Sequence, residues 1–273
     1  MDIIPVIDIL DSQVVTALKG DRNTYKKINP KLYNTTEPVE IIRHLIDIYS
    51  PKTIYIADLD AIMFNKVNHN LLIQILKKFS KVNFWIDSGL NKIKLDKNYN
   101  NYIPIFCSEK AKDFELSSEK FKNHICSIDY KNGIIGPKSI YRCIKTHPKK
   151  VIIMDLSRVG TKLKPNFHVI KKFITKKYKT EYYVAGGIRS MLDIKFVKNL
   201  GASGVLVSSL LSMNKLRKFS FLKERANRAW NTVGNSHNCY FGENGCWVDF
   251  PATTSPALGL PATAFFIAIL VAS

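Results

Sequence analysis

Two aspartates near the ends of apolar, strand-like runs are the first candidates for chemistry. Asp8 lies near the end of "IIPVIDI", and Asp129 ends "HICSID". If these runs are the first and fifth strands of an eight-stranded barrel, the two carboxylates face each other across its mouth. A facing pair suits general acid–base catalysis, because one carboxyl can hold a proton while the other stays ionised. The alternative is structural, since either aspartate can cap a loop or pair with a lysine.

Small residues follow two later strand-like runs and indicate an anion site. Gly186 and Gly187 follow the seventh run, and Ser208 and Ser209 close the eighth. Phosphate sites of α/β barrels often form behind these two strands, from loop amides and a helix N-terminus. Arg189 would add positive charge there. The alternative is that the two glycines serve a tight turn alone.

The elements that must position these residues alternate along the chain. Consecutive apolar, β-branched or aromatic residues are typical of strands buried on both faces of a parallel sheet. The predicted strands are 3–9, 53–59, 82–87, 102–107, 124–129, 150–156, 181–186 and 204–209. Amphipathic spacing predicts helices at 38–49, 69–79, 190–200 with a capping Ser190, and 215–230.

Eight strands alternating with helices are typical of a doubly wound sheet or of a closed barrel. The strand starts are evenly spaced, and no dinucleotide-binding glycine motif follows the first strand. We therefore predict the α/β class and a (β/α)8 TIM barrel. "IPVID" parallels "CSIDY", which indicates two half-barrels. We place the barrel in residues 1–223, and its last helix can reach residue 230.

The composition limits which classes of partner and which cellular compartment we expect. The 273-residue chain carries a formal net charge of +19. Its lysine pairs are scattered over predicted helix faces without a nucleic-acid-binding motif, so no nucleic-acid partner is expected. Its 5 cysteines lack metal-binding spacing, which predicts no metal site and a reducing, cytoplasmic compartment. The N-terminus enters a strand directly and does not resemble a signal peptide.

The composition changes after residue 223. Lysine is absent beyond Lys223, and residues 224–273 have a net charge of −1. Residues 250–273 contain no charged side chain and end in "ATAFFIAILVAS". This continuous apolar run is shorter than the roughly 20 residues that a membrane-spanning helix needs. We predict an atypical tail at 231–273, disordered or apolar, with membrane contact through it as the minor alternative.

Five blocks together resemble the HisA/HisF family of histidine-biosynthesis barrels. They are "IPVIDILDSQVVTALKGD", "TIYIADLDAI", "CSIDYKNG", "VIIMDLSRVGTKLKPN" and "YVAGGIRSMLDIKFVKNLGASGVLVSSLL". The resemblance covers about residues 1–217. The spacing in "VVTALKGD" is more similar to HisA, the ribotide isomerase, than to HisF, the cyclase.

The resemblance implies a role for each candidate residue. It implies that Asp8 is the base and Asp129 the acid of an Amadori rearrangement, which converts an aminoaldose into an aminoketose. It implies a small phosphorylated metabolite as the substrate, and no metal or organic cofactor. It assigns substrate or phosphate binding to Gly186, Gly187, Arg189, Ser208, Ser209, Lys19, Gly160 and Thr161.

The chain also departs from the family pattern. Asp87 stands where the family usually has a glycine-rich turn, and its charge would repel a phosphate. Cys107 and Ser108 stand where a glycine and a hydroxyl residue are usual. Met154 replaces a threonine and Val159 an aspartate of the isomerase site. These changes predict that the phosphate cradle near the third and fourth strands is lost, whereas that near the seventh and eighth remains.

Functional hypotheses of several classes remain open. The first is a HisA-like isomerase or lyase acting on a small phosphorylated sugar or amine. "VVTALKGDRNTYKKI" and "VAGGIRSMLD" resemble HisA-like proteins associated with tetrahydromethanopterin-linked C1 transfer, which implies a role in cofactor biosynthesis. The alternatives are the histidine-pathway isomerase with a degenerate site and a non-catalytic barrel that binds a phosphate metabolite or a protein partner. Nucleic-acid binding is the weakest alternative.

Overall fold

The computed structural model describes residues 1–29, 33–112, 125–137, 139, 148–174, 180–208, 239–242 and 245–248. The chain divides into two compact units, Met1–Leu216 and Arg217–Ser273. The predicted helix at 215–230 and most of the predicted tail lie outside the described residues. The barrel boundary at residue 223 therefore stays a prediction.

The first unit is a closed ring of parallel strands. These are β1 (Asp2–Leu10), β4 (Thr53–Asp58), β5 (Asn83–Asp87), β6 (Tyr102–Cys107), β7 (Ile125–Tyr130), β8 (Lys150–Asp155), β9 (Glu181–Ala185) and β10 (Gly204–Val207). β10 pairs with β1 in parallel, with Asp2 opposite Gly204, and this pairing closes the ring. The 8 strands are those that the sequence predicts, and the (β/α)8 barrel is confirmed.

A short antiparallel ribbon extends β1 beyond the ring. It consists of β2 (Gln13–Thr16) and β3 (Lys26–Lys27), and Asp8 of β1 pairs with Val15 of β2. The loop between the two ribbon strands contains a 3-10 turn at Arg22–Thr24. This ribbon is not predicted from the sequence, and its loop carries Arg22, which lines the pocket described below.

The described helices lie between the strands. They are α1 (Pro38–Tyr49), α2 (Leu59–Phe64), α3 (His69–Lys78), α4 (Phe167–Phe173) and α5 (Met191–Asn199). Ser190 caps α5 as predicted, because its Oγ accepts a hydrogen bond from Asp193 N at 3.2 Å. α2 and α4 were not predicted. In the part of the chain that the structure describes, no helix has the length and apolar character to span a membrane.

The second unit contributes one described element. β11 (Cys239–Gly242) and β12 (Gly245–Val248) pair as an antiparallel hairpin, with Cys239 opposite Val248. Neither strand was predicted.

Alternate residues of each barrel strand face two different clusters of buried side chains. Tyr55 belongs to the cluster that fills the barrel interior, where the rings of Trp85 and Tyr183 meet edge to face at 4.8 Å between centroids. Ile54 and Ile56, its neighbours in β4, belong to the cluster that packs against the helices. This period of two decides which strand-end side chains point into the barrel.

Candidate active site

Three aspartates point into the barrel because of the alternation within their strands. Ile4, Trp85 and Ile125 belong to the interior cluster, and each stands an even number of residues before an aspartate of the same strand. The three aspartates are Asp8, Asp87 and Asp129. β1 and β7 are four positions apart in the ring, so Asp8 and Asp129 approach from opposite sides.

One pocket at the carboxyl ends of the strands collects these side chains. It encloses about 850 Å³ of space, including its open mouth. Its charged lining residues are Asp8, Arg22, Asp87, Glu109 and Asp129, and its remaining lining is mostly small or apolar. The predicted binding residues Gly160, Gly186, Gly187 and Ser208 also line it.

Asp8 presents a bare carboxylate to this pocket. The residue is 9% exposed, and no group in the described part of the chain donates a hydrogen bond to its carboxylate or pairs with it. Burial raises the pKa of Asp8 to about 7. The positive charge of Arg22 opposes this rise, and the negative charge of Asp87 adds to it.

Asp129 is equally buried but is held by hydrogen bonds. Its Oδ1 accepts from Ser127 Oγ at 2.9 Å, and its Oδ2 accepts from Glu109 N at 3.1 Å. Burial raises the pKa of Asp129 to about 7, and the negative charges of Glu109 and Asp87 add to the rise. With both pKa values near 7, the facing pair can hold one proton at neutral pH.

Asp87 is a third carboxylate on the same pocket. Its oxygens accept from Gly89 N at 2.9 Å and from the Tyr55 hydroxyl at 3.1 Å. Burial raises the pKa of Asp87 to about 6, the hydrogen bond from Gly89 opposes the rise, and the charge of Glu109 adds to it. A phosphate on this side of the pocket would meet a cluster of negative charge.

Ser108, which follows β6, is the second residue on this side of the barrel that departs from the family's phosphate-binding pattern. This serine is fully buried. Its Oγ accepts from Asp129 N at 2.8 Å and lies 2.7 Å from the carbonyl oxygen of Ile135, to which it can donate. The hydroxyl therefore orients Asp129 and its loop instead of facing a ligand.

Two charged pocket residues were missed by the sequence analysis. Arg22 lies in the ribbon loop after β2, Glu109 follows β6, and their side chains form a partly buried ion pair. Arg22 is three residues after the predicted Lys19, and Glu109 directly follows Ser108. Their nearness in sequence to strand-end candidates was the available signal, but the ribbon that brings Arg22 over the pocket was not foreseen.

The two glycines after β9 are required by the backbone. Gly187 has φ of +82°, and a Cβ there would lie 2.7 Å from backbone atoms of Lys164 and Pro165. Gly186 has φ of +97°, and a Cβ there would lie 2.3 Å from the carbonyl oxygen of Asp155. Close packing thus explains both glycines, and the same bare backbone faces the pocket.

The first turn of α5 already binds a carboxylate of the protein itself. Asp193 Oδ2 accepts from Arg189 N at 3.0 Å and from Ser190 Oγ at 2.9 Å. The guanidinium of Arg189 donates to the carbonyl oxygen of Lys162. These donors are engaged, so a phosphate near Gly187 would rely on other loop amides and on Ser208.

The remaining predicted binding residues either do not line the pocket or lie outside the described residues. Lys19 is exposed, and its N–H donates to Val159 O at 2.8 Å. The hydroxyl of Thr161 donates to Arg158 O at 2.8 Å. Lys19, Thr161 and Arg189 are not among the described residues that line the pocket. Ser209 lies outside the described residues.

Other strand-end aspartates of the sequence have structural roles. Asp58 is fully buried, caps α2 through Ala61 N at 3.2 Å and accepts from Asn68 Nδ2 at 2.8 Å. Asp60 accepts from the same amide group at 2.8 Å. Asp155 accepts from Ser157 N at 3.0 Å. These carboxylates stabilise loops, which was the structural alternative considered from the sequence.

Comparison with known proteins agrees with this geometry. A family model described as "Histidine biosynthesis protein" matches residues 2–217. The chain belongs to this family. The match confirms the resemblance to the HisA/HisF barrels and covers the whole described ring of strands.

Curated relatives of this chain show two levels of similarity. An uncharacterized protein of Methanocaldococcus jannaschii is 34% identical over 220 residues, which is 77% of this chain and 93% of that protein. Proteins named as 1-(5-phosphoribosyl)-5-(5-phosphoribosylamino)methylideneamino imidazole-4-carboxamide isomerases are less similar. That of Archaeoglobus fulgidus is 25% identical over 233 residues (79% and 94% coverage), and that of Thermoanaerobacter sp. is 28% identical over 244 residues (82% and 99%).

Two further positions that depart from the family pattern, Met154 and Val159, also line the pocket. Met154 pairs with Asp129 in the register of β7 and β8, and Val159 lies in the loop behind β8. Both present apolar side chains where the family pattern has polar ones. Among the described residues, no group of three or more His, Cys, Asp or Glu side chains is arranged to hold a metal ion.

Proposed function

We propose that this histidine-biosynthesis family member is a HisA-type isomerase that acts on a small phosphorylated sugar or amine. One observation carries the proposal: Asp8 and Asp129 are buried on opposite sides of one pocket, and the pKa of each is about 7. A carboxyl pair with these properties can supply both an acid and a base at neutral pH.

The surrounding charges support the division of labour between the two aspartates. Arg22 favours the ionised form of Asp8, which suits a base. Glu109 and Asp87 favour the protonated form of Asp129, which suits an acid. Asp8 also has no hydrogen-bond donor from the described residues, so its lone pairs are free for a substrate proton.

The proposed reaction follows from these roles. Asp129 donates a proton to the ring oxygen of an aminoaldose, and the ring opens to a protonated imine at C1. Asp8 removes the C2 proton, and the C2–H electron pair moves to neutralise the imine and form an enaminol. Asp8 returns that proton to C1, and the proton of the C2 hydroxyl passes to Asp129. These transfers give the aminoketose and restore both carboxyl groups, so no atoms are gained or lost.

The phosphate of the substrate is proposed to lie on the opposite side from Asp87. Gly186, Gly187 and Ser208 line the pocket there without a carboxylate side chain among them. Loop amides and a hydroxyl suit a phosphate, and glycine lets the backbone approach it closely. Lys19, Arg189, Gly160, Thr161 and Ser209 remain predicted binding residues of the same proposal.

The pathway is a finer part of the proposal. We favour a role outside histidine biosynthesis, in the formation of a tetrahydromethanopterin-type cofactor, because three pocket positions depart from the isomerase pattern. These are Asp87, Met154 and Val159. The histidine-pathway isomerase is the second candidate, since relatives at 25% and 28% identity carry that name.

A thermal-shift screen of the full chain with phosphorylated metabolites tests the proposal. A ligand raises the melting temperature in proportion to the logarithm of its concentration over Kd. We expect sugar or amine monophosphates to stabilise the protein, and the Ser208→Asp variant to lose this effect. Ser80→Asp, an exposed change away from the pocket, is the matched control.

Three outcomes separate the candidates. Tight binding of the bisphosphorylated histidine-pathway ribotide, followed by its turnover, would return the protein to histidine biosynthesis. Binding of monophosphates with chemistry that survives Asp8→Asn and Asp129→Asn would remove the acid–base mechanism. Binding without any chemistry would support the non-catalytic barrel instead.

A further inference from the structure

The charged groups around the pocket are strongly unbalanced. Four carboxylates line it, and Arg22 is the only cation among the described lining residues. Arg22 already forms an ion pair with Glu109. The three aspartates therefore share one cavity without a positive partner of their own, in a protein whose overall net charge is +19.

A second observation indicates that these carboxylates are available to a ligand. Asp8 is nine-tenths buried, lines the pocket, and has no hydrogen-bond or ion-pair partner among the described residues. Buried carboxylates ordinarily have donors, because an unpaired one loses its hydration without compensation. The carboxylate of Asp8 is therefore available to a hydrogen-bond donor on the bound substrate.

Carboxylates and small residues lie on different sides of the pocket, which determines how a ligand can be oriented in it. Asp87 and Glu109 belong to the β5–β6 side of the mouth, whereas Gly186, Gly187 and Ser208 belong to the β9–β10 side. An anion fits only the second side. Among the described lining residues, the first side has negative charge and no cation outside the Arg22–Glu109 ion pair, so we expect it to repel a second phosphate.

We propose that the substrate carries one phosphate and one protonated amine, and that Asp87 and one oxygen of Asp8 bind the ammonium group while the phosphate lies near Gly187. The other oxygen of Asp8 stays free for the C2 proton. This inference rests on the proposed function and deepens it, because it names the substrate class as an amino-sugar monophosphate whose ammonium group is separate from the C1 nitrogen that forms the imine. An ammonium donates three hydrogen bonds and meets the need of several carboxylates at once.

Calorimetric titration of the full chain with a matched series of compounds tests the inference. The probes are straight-chain monophosphates of two to six carbons whose far end is an amine, a hydroxyl or a second phosphate. At the best chain length we expect the amine to bind about tenfold or more tighter than the hydroxyl, because charge-assisted hydrogen bonds replace neutral ones. The bisphosphate should bind most weakly.

An Asp87→Asn variant localises the effect. We expect it to bind the hydroxyl compound as the unmodified protein does and to lose most of the preference for the amine. Asp60→Asn is the matched control, because Asp60 and Asp87 are each 5% exposed and only Asp87 lines the pocket. The control should keep the full preference.

The outcomes also separate this inference from the proposed function. Equal binding of amine and hydroxyl, or tighter binding of the bisphosphate, overturns the ammonium site and leaves the monophosphate enzyme in place. Binding of a simple alkyl diamine as tight as that of the aminoalkyl phosphates overturns the phosphate end instead. If no compound in the series binds, this inference fails, and the thermal-shift screen with phosphorylated sugars decides the proposed function separately.

Discussion

The two sides of the barrel mouth occupy equivalent places in the fold and differ in chemistry. On the β9–β10 side, Gly186 and Gly187 expose bare backbone to the pocket. On the β5–β6 side, Asp87 and Glu109 bring carboxylates to it, and Ser108 binds Asp129 and its loop. In our proposal, the same scaffold therefore offers an anion site on one side and a cation site on the other.

This difference would allow a barrel to change its substrate while it keeps the proposed acid–base pair. The alternation of side chains along β1 and β7 determines that Asp8 and Asp129 point into the barrel. The residues after single strands determine the charge at each end of the pocket. A substitution at a strand end, such as Asp87, changes the electrostatics of one side only. The comparison can be tested separately for the pair, for the glycine side and for the carboxylate side.

The largest expected effect belongs to the shared catalytic pair. Asp8→Asn should reduce turnover by about 10³-fold, because the base of the reaction is lost. The measurement is exchange of the C2 proton of the substrate with deuterated solvent, followed by NMR. The Asp60→Asn control should exchange at the normal rate. Normal exchange in Asp8→Asn would contradict the assigned base.

On the β9–β10 side, substitution of a glycine is expected to lower the stability of the protein. Gly187→Ala should lower the free energy of unfolding by about 3 kcal/mol, because the residue has positive φ and the new Cβ would meet backbone at 2.7 Å. Urea denaturation measures the change. Gly133→Ala is the control, since a Cβ at that position meets no atom within 4 Å. Equal effects of the two substitutions would refute the close-packing explanation.

The carboxylate side is expected to respond to pH. The pKa of Asp87 is raised from 3.8 to about 6 in the folded protein, so its contribution to stability falls as pH rises between these values. Asp87→Asn removes this loss and should stabilise the protein at pH 8 by about 1 to 2 kcal/mol. Thermal melts at pH 4.5 and pH 8 measure it. A variant less stable at pH 8 than the unmodified protein would contradict the raised pKa of Asp87.

The smallest expected effect lies at the Arg22–Glu109 ion pair. Glu109→Gln removes a negative charge near Asp129 and should lower the pKa of Asp129 by about one unit or less. Arg22→Gln should instead raise the pKa of Asp8. The pH profile of turnover would move to lower pH in the first variant and to higher pH in the second. Shifts in the same direction would show that the two charges do not act on separate partners.

Much of the fold could be predicted from the sequence because each strand is marked locally. The apolar run at 82–87 and its seven counterparts suffice to place the ring, and Ser190 marks the start of α5 through its own hydrogen bond. The β2–β3 ribbon escaped prediction because its strands have 4 and 2 residues and depend on pairing with β1.

The site was predicted in part, for a related reason. Asp8 and Asp129 could be proposed from their strand ends, but Asp58 and Asp155 stand at strand ends too. Parity along each strand separates these groups: Asp87 follows the interior Trp85 by two residues, whereas Asp58 follows the helix-facing Ile56 by two. Arg22 could not be placed, because its position depends on how the ribbon folds over the pocket.

The central claim is that Asp8 and Asp129 hold a proton near neutral pH. It is tested most directly by following the carboxyl carbons of selectively labelled aspartate by NMR from pH 4 to pH 9, with Asp8→Asn and Asp129→Asn to assign the two signals. The account predicts that both signals titrate near pH 7. Titration of both below pH 5 would show that the pair is fully ionised at neutral pH and would contradict the proposed acid.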